Sequence, residues 1–138
     1  MKDSVVVTIP SHPKYLSVVR AATVKMGKIY GMDDPVTEDV KLAVDEACSN
    51  VIKHAYEGDT SKKIVVKYGI TQKYFKVIIE DSGIKSQMEL MKGRSFDDIR
   101  PGGLGIHFIR RVFDVFKFDE KKKKGNRLIL IKHMREKE

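Results

Sequence analysis

The chain has 138 residues, of which 41% are hydrophobic and 33% are charged, with a formal net charge of +8. This composition excludes a collagen-like, low-complexity or wholly disordered chain, and the length predicts one globular domain over residues 1–138. No apolar stretch is long enough for a signal sequence or a membrane span, and one cysteine allows no internal disulfide, so we expect a cytoplasmic protein without a membrane partner.

The predicted elements begin with a Val-rich strand at 4–9, followed by two helices. Ser11-His12-Pro13 predicts a helix start with Ser11 as the cap, and this helix is expected to end near Gly31. Asp33-Asp34-Pro35 predicts the start of the second helix by the same logic. Its predicted core face consists of small apolar residues that recur every three or four positions: Val40, Ala43, Val44, Ala47, Val51 and Ala55.

The rest of the chain predicts two hairpins separated by a long loop and a short helix. Residues 63–71 and 74–80 are two β runs joined by a short turn. Residues 82–101 show neither helical nor strand periodicity, which is typical of a functional loop or lid in a compact domain. A helical stripe resumes after Gly103, and strands at 115–118 and 128–131 close the chain. The order β-α-α-β-β-lid-α-β-β predicts an α+β two-layer sandwich.

The positive charge is concentrated near the end of the chain. Residues 117–138 hold nine Lys or Arg and four acids, which gives +5 of the total +8. The run Lys121–Lys124 is interpreted as the solvated tip of the last hairpin, with a docking patch for an acidic partner as the alternative. No aromatic residues lie between these lysines, as they would in a protein that binds single-stranded nucleic acid, so we expect no direct nucleic-acid binding.

Three patterns are candidates for a functional site, and the first is a row of polar residues on the second helix. Glu46, Asn50 and His54 are spaced i, i+4, i+8 and therefore share one helix face. A glutamate can accept a proton from a hydroxyl group, and an asparagine oxygen can ligate Mg²⁺. Taken alone, the same spacing also occurs on solvated helices.

The other two patterns involve glycines. Asp81-Ser82-Gly83 follows a β run, where the carboxylate can accept a hydrogen bond from a ligand, although the same residues form ordinary turns. The stretch 102–105, Gly-Gly-Leu-Gly, directly precedes a helix, where backbone N–H groups can converge on phosphate oxygens. It matches neither the dinucleotide fingerprint nor the P-loop.

Together and in this order, the three patterns resemble the N, G1 and G2 boxes of the GHKL ATPase superfamily. Within that superfamily, segments 45–56 and 102–106 are most similar to the bacterial anti-sigma factor serine/threonine kinases of the general-stress and sporulation type. The resemblance implies a Bergerat-type ATP-binding fold, a two-layer α/β sandwich with a mixed, mainly antiparallel sheet and helices on one face. It also implies an ATP lid at about 82–102.

The resemblance assigns roles to individual residues. Glu46 would be the catalytic base and Asn50 the ligand of Mg²⁺, while Asp81 would bind the adenine amino group. Arg20 falls where relatives have an arginine that faces the sigma factor. The residues implied to bind ATP are Asn50, His54, Asp81, Gly83, Gly102, Gly103, Leu104, Gly105 and Asn126.

The function implied by the resemblance is that of an ATP-dependent protein serine/threonine kinase and anti-sigma factor. Such a protein phosphorylates an anti-sigma-factor antagonist, sequesters a sigma factor and forms a homodimer. The presence of Glu46 favours the enzyme. The alternative is an ATP-binding regulatory module without kinase activity, and a small nucleic-acid-binding domain is a third hypothesis that rests only on the net charge.

Overall fold

The computed structural model describes residues 3–86 and 105–134, in which helices cover one sheet. The strands are β1 (Asp3–Pro10), β2 (Lys63–Ile70), β3 (Tyr74–Asp81), β4 (Val115–Phe118) and β5 (Asn126–His133). The helices are α1 (Leu16–Tyr30), α2 (Asp34–Asn50) and α3 (Ile106–Val112), with a 3-10 turn at Pro13–Tyr15 and a π-helical turn at Val51–Ala55. The predicted order of elements and the α+β class are confirmed. The predicted lid lies outside the described residues except for 82–86.

The five described strands have the order β1-β2-β3-β5-β4, and all four pairings are antiparallel. The expected mixed sheet is therefore purely antiparallel within this part of the chain. Since β3 and β5 pair antiparallel over their full lengths, the last residue of β3 meets the first residue of β5. Asp81 is consequently the cross-strand partner of Asn126.

The two long helices form because their apolar residues share one face and their ends carry the expected signals. Gly31 ends α1 in the left-handed conformation with φ 85°, and its N–H bonds to carbonyls of the last turn. Pro35 is the second residue of α2, which begins directly after the extended N-cap residue Asp33. The helices approach closely at Gly27, where an added Cβ would lie 2.9 Å from Thr37 Cγ2.

The prediction that Ser11 caps the first helix is wrong. Ser11 is fully buried, and its hydroxyl donates to Asp59 O at 2.7 Å and accepts from Lys62 N at 3.0 Å. His12 caps the 3-10 turn that precedes α1, because its Nδ1 accepts from Lys14 N at 3.1 Å, whereas Tyr15 at the N-cap of α1 makes no side-chain capping bond. The pairing of β1 with β2 runs up to Pro10. The Ser11 N–H then bonds to the carbonyl of Lys62, the residue that precedes β2, so the pairing continues by one residue beyond the two strands.

Cys48 lies in the core between the helices and the sheet. Its side chain is fully buried, and burial together with nearby Asp45 raises the pKa of the thiol to about 12. Within the core, the hydroxyls of Thr23 and Tyr68 share a hydrogen bond of 2.7 Å.

Across the described ranges 3–86 and 105–134, no helix has both the length and the apolar character needed to cross a bilayer.

Candidate functional site

A pocket lies where α2 and the π turn face α3 and the strands β3, β4 and β5. Most of its wall is apolar: Ala47, Val51, Ala55, Ile79, Ile106, Ile109, Phe116, Phe118 and Leu128. Its polar lining residues are Asn50, His54, Asp81, Ser86 and Asn126. An apolar concavity with a few placed polar groups is the usual form of a small-molecule site. The fold therefore brings four of the predicted site residues to one place.

Asp81 and Asn126 form the polar end of this pocket. The two side chains are 5% and 3% exposed, and Asn126 Nδ2 donates to Asp81 Oδ1 at 3.0 Å and to Oδ2 at 3.2 Å. The Gly83 N–H donates to Asp81 Oδ1 at 2.8 Å. Two groups of the protein therefore hold the carboxylate, in a pocket whose wall is mostly apolar.

Burial raises the pKa of the Asp81 carboxyl, and the hydrogen bonds from Gly83 and Asn126 oppose this rise only in part. A carboxylate that is poorly solvated gains more from a hydrogen-bond donor on a ligand than an exposed carboxylate does. Its oxygens can accept such a bond from an amino group. Asp81 thus has the chemistry expected of a residue that recognises the edge of a flat base.

Asn126 uses its amide to bind other parts of the protein. In addition to its bonds to Asp81, Nδ2 donates to Ile84 O at 2.8 Å, and Oδ1 accepts from Ser86 N at 2.7 Å. The side chain therefore ties the carboxylate to the first residues after β3. This arrangement favours an orienting role for Asn126 over the direct nucleotide contact expected from the sequence.

Glu46 lies outside the lining of this pocket, against the residue that precedes α3. A Cβ added to Gly105 would lie 2.3 Å from Glu46 Oε1, and Gly105 has φ 61°. The carboxylate thus touches the backbone at the helix start, where a larger residue would displace it. The predicted polar row on α2 is divided, since Asn50 and His54 line the pocket and Glu46 faces Gly105.

The remaining predicted residues fall in two groups. Gly102, Gly103 and Leu104 lie outside the described residues. Arg20 is on α1, away from the pocket, and its side chain is 39% exposed and forms an ion pair of 2.7 Å with Asp45 of α2.

Sequence reasoning missed the contact that requires Gly83. A Cβ at this position would lie 2.2 Å from the backbone oxygen of Ala55, and the next residue, Ile84, donates its N–H to that same oxygen at 2.9 Å. The close approach is therefore made by the π turn of the protein itself. No local signal could have shown this, because the two segments are distant in the sequence.

We expect Gly83→Ala to destabilise the fold by about 1–3 kcal/mol, because the methyl group must displace the Ala55 backbone. It should also expose the Ile84 amide to solvent exchange. Urea unfolding and amide hydrogen exchange would measure the two effects. Gly58→Ala is the control, since Gly58 has φ 84° and nothing within 4 Å of an added Cβ, so it introduces backbone strain without a collision. Continued protection of the Ile84 amide in Gly83→Ala would contradict the prediction.

The sequence and the fold are similar to those of known proteins. The family described as "Histidine kinase-like ATPase domain" matches residues 9–132. The serine-protein kinase RsbW of Listeria innocua is 30% identical over all of this chain and 92% of its own length. The RsbW of Bacillus subtilis is 27% identical over 81% of this chain and 75% of its own.

A solved structure shares the fold. It contains the RsbU and RsbW domains of a Mycobacterium tuberculosis protein, and it superposes with a TM-score of 0.66 at 16% identity. The match covers 94% of this chain and 31% of that one. With a profile match over most of its length and a relative at 30% identity, the chain belongs to the histidine kinase-like (GHKL) ATPase family, among the RsbW-type anti-sigma factor kinases.

Proposed function

We propose that this protein is an ATP-dependent serine/threonine kinase that phosphorylates an anti-sigma-factor antagonist and sequesters a sigma factor. The observation that carries the proposal is the apolar pocket that is lined by both Asn50 of α2 and the buried Asp81–Asn126 pair. Glu46, also on α2, lies nearby with its carboxylate against Gly105, the residue before α3. Its similarity to serine-protein kinases named RsbW supports the same activity.

In the proposed complex, adenine lies between the apolar walls of the pocket. Asp81 accepts a hydrogen bond from the adenine amino group, while Asn126 and the Gly83 N–H hold the carboxylate in position. Phe116 and Phe118, whose ring centroids are 5.8 Å apart, contribute part of the apolar wall. The direction of the hydrogen bond provides specificity, because a base with a carbonyl at this edge would place two acceptors together.

Asn50 is the proposed ligand of Mg²⁺. Within residues 3–86 and 105–134, no group of three or more His, Cys, Asp or Glu side chains is arranged to hold a metal ion. One carboxamide oxygen in a nucleotide pocket fits Mg²⁺, which typically takes one or two protein ligands together with substrate phosphates and water. When bound, the ion would neutralise charge on the phosphates.

Glu46 is the proposed catalytic base. Its carboxylate would accept the proton of the antagonist's serine or threonine hydroxyl while that oxygen bonds to the γ-phosphorus and the bond from the γ-phosphorus to the leaving ADP oxygen breaks. The glycines at 102, 103 and 105 and the lid at 82–102 are proposed to enclose the phosphates. Gly105 already provides the space that Glu46 occupies.

The proposed partner surface for the sigma factor includes Arg20 of α1. Its guanidinium is partly exposed although it pairs with Asp45, so it remains accessible to an acidic group on another protein. We further propose that the protein acts in the cytoplasm as a homodimer and as one ATPase domain.

The direct test is incubation of the protein with the antagonist and γ-labelled ATP. Transfer of the label to a serine or threonine of the antagonist is the expected result. Tight ATP binding with no transfer would overturn the kinase and favour the alternative, a regulatory module that holds ATP. Absence of ATP binding, combined with steeply salt-dependent binding to arbitrary DNA, would overturn both.

Asn50→Ala should lower the affinity for Mg-ATP by at least about 10-fold, because a metal ligand is lost. In the presence of EDTA, the variant and the unmodified protein should bind ATP equally, since Asn50 then has no metal to hold. Calorimetric titration with and without Mg²⁺ would measure both. A similar loss of affinity in EDTA would show that Asn50 contributes to the pocket in another way.

A further inference from the structure

Tyr56 occupies the position that directly follows the π turn, where its ring is buried and only 6% exposed. It does not line the pocket described above. We propose that Tyr56 is a positioning residue for base recognition, whose hydroxyl fixes the segment that carries Asp81 and Gly83. This inference rests on the proposed function, because it names a residue that acts on the same site through Ser82.

The Tyr56 hydroxyl connects two segments that are distant in the sequence. It donates a short hydrogen bond to Lys63 O, at the first residue of β2, and it accepts a bond from Ser82 N at 2.9 Å. The Ser82 hydroxyl lies 3.4 Å away as well. One phenol oxygen therefore ties the end of β3 to the start of β2.

Ser82 is the residue between Asp81 and Gly83, and the three N–H groups after Asp81 all have defined acceptors. The Ser82 N–H bonds to Tyr56, the Gly83 N–H to Asp81 Oδ1 at 2.8 Å, and the Ile84 N–H to Ala55 O at 2.9 Å. Two of the three acceptors belong to the end of the π turn. The backbone that follows the base-binding carboxylate is thus held by the end of the helix that also carries Asn50.

The π turn explains why Tyr56 can reach Ser82. The Tyr56 N–H bonds to Val51 O at 2.9 Å, which is the i→i+5 pattern and adds one residue to the turn. Without this extra residue, the side chains that follow would be rotated about the helix axis by about 100°, which is the rotation of one α-helical residue. The direction of the phenol is therefore a product of the π turn.

Removal of this hydroxyl would leave two backbone groups without their bonds and would keep the ring. Tyr56→Phe deprives Ser82 N–H and Lys63 C=O of their partner, whereas the apolar packing is preserved. The Asp81 carboxylate would still contact Asn126, but the backbone of the following residue would no longer be fixed. Nucleotide binding should suffer at the adenine end, while the Glu46 region remains intact.

The experiment compares Tyr56→Phe with Tyr68→Phe, which also removes a buried hydrogen-bonded hydroxyl but from the Thr23 contact in the core. We expect Tyr56→Phe to raise the KM for ATP about 10-fold, with kcat at saturating ATP within about two-fold of the unmodified protein. The ratio of kcat/KM for ATP to kcat/KM for GTP should fall as well. Tyr68→Phe should lower the melting temperature and leave KM and the base preference unchanged.

Equal KM values for the two Tyr→Phe variants would overturn the inference, as would a fall in kcat without a change in KM. Amide hydrogen exchange of the unmodified protein gives an independent test that does not depend on a variant folding. In the absence of nucleotide, the Ser82 amide should be protected from hydrogen exchange. If it exchanged as fast as the amides of an exposed loop, the inference would also be overturned. Failure of the unmodified protein to bind ATP would instead overturn the proposed function, while the Ser82 exchange would still report on the Tyr56 contact.

Discussion

Glu46→Gln should lower the rate of phosphotransfer to the antagonist by about 10²–10⁴-fold, with ATP affinity within about two-fold of the unmodified protein. Glutamine has nearly the same shape as glutamate, so it can keep the contact with Gly105 at the start of α3. It cannot accept the hydroxyl proton as a carboxylate does. Single-turnover transfer of labelled phosphate at saturating ATP measures the chemical step directly.

A suitable control for Glu46→Gln is Glu38→Gln, on the same helix. Glu38 is an exposed residue that pairs with Lys41 at 2.6 Å, so its neutralisation alters the charge of α2 without affecting the site. Phosphotransfer by Glu38→Gln should remain at the unmodified rate. If Glu46→Gln transferred phosphate as fast as this control, another group would have to be the base.

Asp81→Asn should weaken ATP binding by about 10²-fold or more. The substitution replaces one acceptor oxygen with an N–H₂ donor, which faces either the adenine amino group or the Asn126 amide, and both of these are donors. Titration calorimetry with Mg-ATP measures the loss. An affinity equal to that of the unmodified protein would show that the base is not recognised at Asp81.

The same substitution should change the pH dependence of stability. Because burial raises the pKa of Asp81, the native state binds its proton more tightly than the unfolded chain, and the unmodified protein loses stability as pH rises from the ordinary carboxyl pKa through the raised one. Asp81→Asn lacks this loss, so its stability relative to the unmodified protein should increase across that window and stay constant above it. Urea unfolding at a series of pH values would show the trend.

Asp119→Asn is a control for which the stability relative to the unmodified protein should change with pH in the opposite direction. The backbone N–H of Lys121 and the guanidinium of Arg127 lower the pKa of Asp119, so its ionised form stabilises the native state. This stabilisation is present above the ordinary carboxyl pKa and is lost as pH falls through the lowered one. Relative to the unmodified protein, Asp119→Asn should therefore become less stable as pH rises. Parallel trends for the two variants would contradict the assignment for Asp81.

Local patterns in the sequence were sufficient to predict the succession of elements. The apolar residues of α2 recur at helical spacing, and Gly31 and Pro35 mark helix boundaries. These signals depend on residues within a turn or two of each other, so they can be read without knowledge of the fold. The cap at Ser11 was mispredicted because the pairing of β1 with β2 continues beyond the strand and engages this residue.

Only some residues of the candidate site could be predicted from the sequence. Asn50, Asp81 and Asn126 were predicted as site residues from motifs, and the fold brings them to one pocket. The contacts of Asn126 with Asp81, Ile84 and Ser86 were not predicted, since they arise from the adjacency of β5 to β3 and from the path of the chain after Asp81. The apolar wall from β4 was not predicted either, because a core residue and a pocket residue have the same pattern.

By itself, the sequence determined the α+β class and the order of the elements, and it predicted a candidate site from polar and glycine residues. Only the tertiary structure decided that Ala55 O occupies the space at Gly83, that Glu46 rests on Gly105, and that Tyr56 holds Ser82. The physical reason is the range of the interactions. Periodicity and capping are satisfied within one element, whereas these contacts join segments whose distance is set by the π turn and by strand register.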